Sequence, residues 1–339
     1  MTSPTFSMGA ASLSGALETR VFESACLKDN PLKDPHCREV PVYLPPAAVA
    51  GEALPVAFLL AGFTGRGHSM METHPWKRGA VAQYDAHLQA TGDRGVILVM
   101  PDAFTKLGGS QYVNSSAVGQ YADYVADELP AFVDATYKTA TDQRIVCGKS
   151  SGGFGALHLA MSKPGRFQVV ASISGDCAFE LPLGHEMVAA ARALLPHGGD
   201  PRPWLAEFDK SYSLSGDGHA AINVIAMSAC YAPNPDSPFG FDLPFDPETA
   251  ARREEVWERF QAFDPLVRAK DHVEELKAVR GLYLEAGVKD EFGLQFGLRQ
   301  LVGELKRLGI PHEHVEHEGG HFGLDRRYVE VLPKLTSML

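Results

Sequence analysis

The sequence predicts an α/β fold, with a mostly parallel central sheet, helices on both faces and a lid-like insertion over residues 179–263. Three observations carry the prediction. Seven short runs are β-branched or near-continuously apolar, as strands covered on both faces are. Amphipathic helical patterns lie between most of them. The alternation stops near Phe179 and resumes after Phe263, so the break reads as an insertion over the carboxyl edge of the sheet. Residues 1–339 are therefore expected to form a single domain.

The expected strands are REVPVYL (38–44), PVAFLLA (55–61), GVILVM (95–100), RIVC (144–147), QVVASIS (168–174), RGLYLEA (280–286) and HEHVEH (312–317). Between Tyr121 and Tyr137, the residues Tyr124, Val125, Leu129, Phe132 and Val133 make one helical stripe. Between Phe292 and Leu308, leucines recur at spacings of four and three. The insertion holds CYAPNPDSPFGFDLPFDPE, rich in Pro, Asp and aromatics, and then the helix-like ETAARREEVWERFQAF.

Hydrophobic content of 45% and charged content of 22% are those of an ordinary globular protein. The net charge of −11 argues against nucleic acid or an anionic membrane as partner. Five cysteines, an odd number without C-x-x-C spacing, read as reduced thiols of a cytoplasmic protein. The first residues lack the basic and apolar regions of a signal peptide, and ALPVAFLLAGF is too short to span a bilayer.

HEGGH (317–321) matches the zinc-protease pattern H-E-x-x-H. That motif works on a helix, where its two histidines share a face. Here the two middle residues are glycines, each costing about 1 kcal/mol in a helix interior. The segment reads instead as the end of a strand and a loop that carries His321. No metal and no cofactor are expected.

RIVC runs directly into GKSSGGFGALHLAMS, which contains G-x-S-x-G as Gly148-Lys149-Ser150-Ser151-Gly152. A strand before and a helix after are the context a nucleophilic serine needs. The glycines keep side chains out of the tight turn, and the helix N-terminus points N–H groups at the reaction centre. Ser150 has the right register with both glycines. Ser151 is one residue out and is expected to lend its backbone N–H to an oxyanion hole.

These stretches resemble the esterase family of α/β-hydrolases, which includes esterase D-like enzymes, feruloyl and acetylxylan esterases, siderophore esterases and mycolyltransferases. VPVYLPP, AFLLAGFTG, VILVMPDAF, SQYVNSS, ELPAFVDATY, GKSSGGFGALHLAMSKPGRF, SISG, GVKDEFG and GGHFG follow the family's order. The resemblance implies an α/β-hydrolase fold, a Ser–Asp–His triad and ester hydrolysis without a cofactor. Two departures stand out. Many members end the first oxyanion strand in His-Gly, where this chain has Ala61-Gly62. The stretches typical of S-formylglutathione hydrolases are not found in FTGRG or GGHFG.

In this fold the chain order is Ser, acid, His. His321 is the last histidine, on a loop that Gly319-Gly320 can turn back over Ser150. Asp290, in Gly287-Val288-Lys289-Asp290, matches the family's G-x-x-D stretch and is the expected acid. Asp176, after QVVASIS, is the competing carboxylate and is expected in the pocket. Helix capping is an ordinary alternative for Asp290. The second oxyanion donor should come from the loop after PVAFLLA, with Phe63 N–H first and Thr64 next.

The expected chemistry is two-step acyl transfer from a small-molecule ester. An acyltransferase shares that chemistry. A metal-dependent hydrolase using the late histidines is the rival of a different class. Trp204, Phe208, Tyr212, Tyr231, Phe239, Phe241 and Phe245 would make the acyl pocket aromatic, or else form the insertion's own core.

Overall fold

The computed structural model describes residues 13–71, 73–74 and 77–339. Among them, one sheet has eight strands: β1 (Ala16–Glu23), β2 (Cys37–Leu44), β3 (Leu54–Leu60), β4 (Ile97–Val99), β5 (Thr139–Lys149), β6 (Val169–Ile173), β7 (Gly281–Gly287) and β8 (Glu313–His317). Their order is β1-β2-β4-β3-β5-β6-β7-β8. β2 pairs antiparallel with β1 and β4, and every pair from β4 to β8 is parallel. This is the mostly parallel sheet that the apolar runs predict. β1 is the strand they miss. ALETRVFE has no apolar run and lies mostly exposed; pairing with β2 holds it, together with Phe22 packed on Tyr124 and Phe132.

The longer helices are α1 (Ala80–Thr91), α2 (Leu129–Thr136), α3 (Ser151–Ser162), α4 (Glu180–Leu194), α5 (Pro201–Ser211), α6 (Gly218–Tyr231), α7 (Glu254–Gln261), α8 (Leu294–Arg307) and α9 (Arg327–Ser337). The period of two along β3 sorts them. Val56, Phe58 and Leu60 face one core, with Val133, Phe154, Leu183, Ile222 and Leu298 from the helices. Ala57, Leu59 and Ala61 face the other, with Tyr84 and Leu88 of α1 and Val331 and Leu335 of α9. The 121–137 pattern is helical with one π turn, Tyr124–Glu128, just before Pro130, which lacks an N–H to continue the ladder.

The region after Phe179 is mainly helical. α6 was not legible as a helix, because every residue from Ala221 to Tyr231 is buried and no polar face sets a period. The helix expected from Glu248 starts only at Glu254. Before it, Asp246 Oδ1 accepts the N–H groups of Glu248 and Thr249 and so holds a turn. Tyr231, Phe241, Phe245, Trp257 and Phe260 share one continuous core with Phe58 and Phe154 of the sheet layer. Among the described residues no helix is long and apolar enough to cross a membrane.

Candidate active site

β5 delivers Ser150 into α3 through a strained turn. Ser150 has φ 57° and ψ −126°, a conformation that L residues rarely adopt. Its N–H donates to Ile173 O of β6 at 3.0 Å, and its own carbonyl accepts Phe154 N–H at 3.0 Å. The flanking glycines are obligatory. A Cβ on Gly148 would lie 2.3 Å from Gly152 C, and one on Gly152 would lie 2.1 Å from Leu60 O. The turn therefore exists only because those side chains are missing.

Two loops at the carboxyl ends of β7 and β8 close over the serine. They are zipped by Val288 N–H to His317 O at 2.9 Å and Lys289 N–H to Gly319 O at 3.0 Å. His321 Nε2 stands 3.0 Å from Ser150 Oγ, and His321 Nδ1 stands 2.9 Å from Asp290 Oδ2. Asp290 and His321 are both buried. Burial alone would push the Asp290 carboxyl up. The hydrogen bond and charge of His321, with the Phe292 N–H, outweigh it and hold the group below the ordinary carboxylate range. An ionised Asp290 fixes the proton on Nδ1 and leaves Nε2 free to accept.

Sequence reasoning missed Glu291. Its carboxylate accepts the His321 backbone N–H at 2.6 Å, and a Cβ on Gly320 would strike it at 2.6 Å. Gly320 is thus needed for close approach, a stronger reason than loop flexibility. The imidazole also stands edge-on to the Phe292 ring, 4.8 Å between centroids.

The loop after β3 runs beside Ser150. A Cβ on Gly62 would lie 3.2 Å from Ser150 Cβ. Thr64 N–H is spent on Gly108 O at 2.9 Å. Among the described residues, the N–H groups of Phe63 and Ser151 have no backbone acceptor. Tyr112 donates to Ala61 O at 2.7 Å and steadies the loop from beneath.

A cavity of about 450 Å³ opens at Ser150, lined by Phe63, Ser151, Asp176 and His321 among others. Asp176 sits in this wall, while Asp290 is the carboxylate within hydrogen-bond length of the His321 imidazole. Burial lifts the Asp176 carboxyl to about 6, against the pull of His321. The seven insertion aromatics do not line the cavity. Tyr231, Phe241 and Phe245 are buried in the core, Phe239 packs against Phe241, and Phe208 stacks on Trp204 and meets Tyr212 edge-on. The insertion contributes Leu183, Glu186, His219, Asn223 and Met227 to the cavity instead.

HEGGH is not helical. His317 ends β8, and its Nδ1 accepts the Gly319 N–H at 3.0 Å, while His321 faces Ser150. His312 donates to Ile310 O at 2.8 Å. Among the described residues no three His, Cys, Asp or Glu side chains converge as metal ligands.

Comparison with known proteins agrees with this architecture. Residues 35–306 match the Esterase family model, described as "Putative esterase". An S-formylglutathione hydrolase of Mus musculus is 25% identical over 155 residues, which is 40% of this chain and 51% of that protein. The chain thus spans about half the length of this relative. Among solved structures, a ferulic acid esterase superposes with a TM-score of 0.57 at 18% identity, covering 97% of this chain and 100% of that one. An S-formylglutathione hydrolase from Agrobacterium tumefaciens superposes with a TM-score of 0.59 at 17% identity, covering 97% of each. At such identities the superpositions speak for the fold.

Proposed function

The chain belongs to the esterase family of α/β-hydrolases, and on that premise we propose that it cleaves small carboxylic esters through an acyl-enzyme on Ser150. The observation that carries the reading is the unbroken hydrogen-bond chain from Asp290 through His321 to Ser150 Oγ. His321 Nε2 takes the serine proton as Oγ attacks the ester carbonyl. The N–H groups of Phe63 and Ser151 stabilise the oxyanion. As the intermediate collapses, the carbonyl–alkoxy bond breaks and His321 protonates the leaving alcohol. Water, deprotonated by the same imidazole, then attacks the acyl-serine; the acid leaves and the proton returns to Ser150. Asp290 stays ionised throughout and stabilises the imidazolium.

The test is hydrolysis of p-nitrophenyl acetate by wild type and Ser150→Ala, each with and without EDTA. Wild type should be active with or without chelator, and Ser150→Ala should lose at least about a thousand-fold in kcat. Chelator-sensitive activity that survives Ser150→Ala would overturn the proposal. Activity needs a neutral imidazole, so the rate should fall on the acid side.

A further inference from the structure

The cavity at Ser150 has one wall whose chemistry the ester reaction does not use. Glu186, on α4, is 8% exposed, and Asn223, on α6, is 7% exposed. Both line the cavity with Asp176. Glu186 Oε2 accepts from Asn223 Nδ2 at 2.6 Å. Glu186 Oε1 has no hydrogen-bond partner among the described residues; His219 Nδ1 stands 3.8 Å away, beyond that length. Asn223 Oδ1 is likewise unpartnered among the described residues. Burying an acceptor without a donor is costly, so Asn223 Oδ1, with the unbonded Glu186 oxygen in the same wall, calls for something that supplies donors.

The protein itself offers little positive charge here. Burial, with the nearby His321, lowers the His219 imidazole below its ordinary value, which disfavours its charged form. Lys149, the basic residue among the lining side chains, is already engaged. What relieves Glu186 is an amide, not a cation. Leu183, Met227 and Leu294 add apolar surface to the same cavity.

We infer that Glu186, Asp176 and Asn223 form a subsite for a primary ammonium group, and that the ester hydrolysed at Ser150 carries one. The inference rests on the esterase reading for where the ester lies, but not for amine binding. An ammonium brings three N–H donors and one positive charge, which suits two carboxylates and an amide oxygen. A hydroxyl would supply a donor and leave the charge uncompensated. A quaternary ammonium would supply the charge and no donor. Burial, helped by the Asp176 charge, lifts the Glu186 carboxyl to about 7. A bound cation would draw it back down, so uptake of the amine should release protons.

The experiment is calorimetric titration of the wild-type protein at pH 8 in phosphate buffer with n-hexylammonium, 1-hexanol and hexyltrimethylammonium. Hexylammonium should bind at least about ten-fold more tightly than either, and Glu186→Gln should remove that preference. Equal affinity for hexanol would make the wall a site for neutral hydroxyls and overturn the inference; so would no measurable amine binding, which would make Glu186 and Asn223 a neutral internal pair. The wild-type comparison needs no variant, so a poorly folding Glu186→Gln does not blunt it. In parallel, p-nitrophenyl esters of ω-ammonio and unsubstituted alkanoic acids of equal length should differ in kcat/KM by about ten-fold in favour of the former, and the ratio should collapse in Glu186→Gln. If the unsubstituted esters are cleaved through Ser150 and no amine preference is seen in binding or rate, the subsite fails and the esterase stands. If nothing is cleaved but the amine binds, the reverse holds.

Discussion

Ser150 and His321 are 171 residues apart in the chain, yet His321 Nε2 lies 3.0 Å from Ser150 Oγ. Neither residue makes the meeting. Parallel pairing does: β5, β6, β7 and β8 lie side by side, so the turns that follow them emerge along one edge. The β7 and β8 turns are then tied together by backbone hydrogen bonds before either side chain is considered.

Asp290 and Asp176 both lie near His321 but should be separable by substitution. Asp290→Asn should lower kcat toward p-nitrophenyl acetate by about two to four orders of magnitude, because the amide favours the wrong imidazole tautomer. Asp176→Asn should retain far more of kcat. Steady-state kinetics of the two variants decides the assignment, and a larger loss in Asp176→Asn would reverse it.

Gly152→Ala puts a methyl about where Leu60 O already sits, at 2.1 Å from the ideal Cβ. Backbone must move, so the cost should be at least about 2–3 kcal/mol in urea unfolding, with hydrolysis lost as well. Gly184→Ala is the control, since a Cβ there meets nothing within 4 Å. Equal stability of the two variants would contradict the packing argument.

Glu186 makes stability depend on pH. Its folded carboxyl titrates at about 7, above the ordinary value of 4.5, so the folded state holds a proton that the unfolded chain gives up earlier. The contribution is fully present below pH 4.5 and is lost as pH rises through 7. The loss amounts to roughly 3 kcal/mol. Glu186→Gln lacks it, so the variant's Tm relative to wild type should be higher at pH 8 than at pH 5. Melting curves at the two pH values test the sign. A carboxylate retained at that cost suits a binding role better than a structural one.

Arg327 of α9 grips Glu285 of β7, with Nε to Oε1 at 2.6 Å and Nη2 to Oε2 at 2.8 Å. Glu285 is fully buried, and Tyr283 also donates to it. This pair ties the strand that leads to Asp290 to the helix that follows His321. Arg327→Met should cost about 3–5 kcal/mol by stranding a buried charge, with Arg327→Met/Glu285→Leu recovering much of it. Denaturant melts of the single and double variants measure the coupling; additive losses would show that the pair does not act as a unit.

Much of this was readable along the chain. The inner parallel strands announce themselves as apolar runs because both faces are covered, while the edge strand β8, Glu313–His317, does not. The glycines around Ser150 announce the turn because only glycine fits it, and the expectation that His321 sits on a loop follows from Gly319-Gly320. The edge strand β1 and the helix α6 gave no such signal. One is a mostly exposed edge with Phe22 alone of its large apolar residues packed against core aromatics, and the other is buried on every side, so neither leaves a hydrophobic period.

The same limit applies to the site. Local residue pattern suffices for a tight turn, a buried strand or an ordered series of Ser, Asp and His, because each is a constraint between near neighbours. The grip of Glu291 on His321, the spending of Thr64 N–H on Gly108, and the wall built by Glu186, Asn223 and Asp176 are constraints between distant segments. Asp176 and Thr64 stand out along the chain as a pocket carboxylate and a candidate donor, but Glu291, Glu186 and Asn223 read there as ordinary surface or helix positions. The burial of Glu186 and Asn223, and with it their lost contact with water, comes from the packing of α4 and α6 against each other and over the sheet edge. That packing turned Tyr231, Phe241 and Phe245 of the insertion into core and left Glu186 and Asn223 lining the cavity at Ser150.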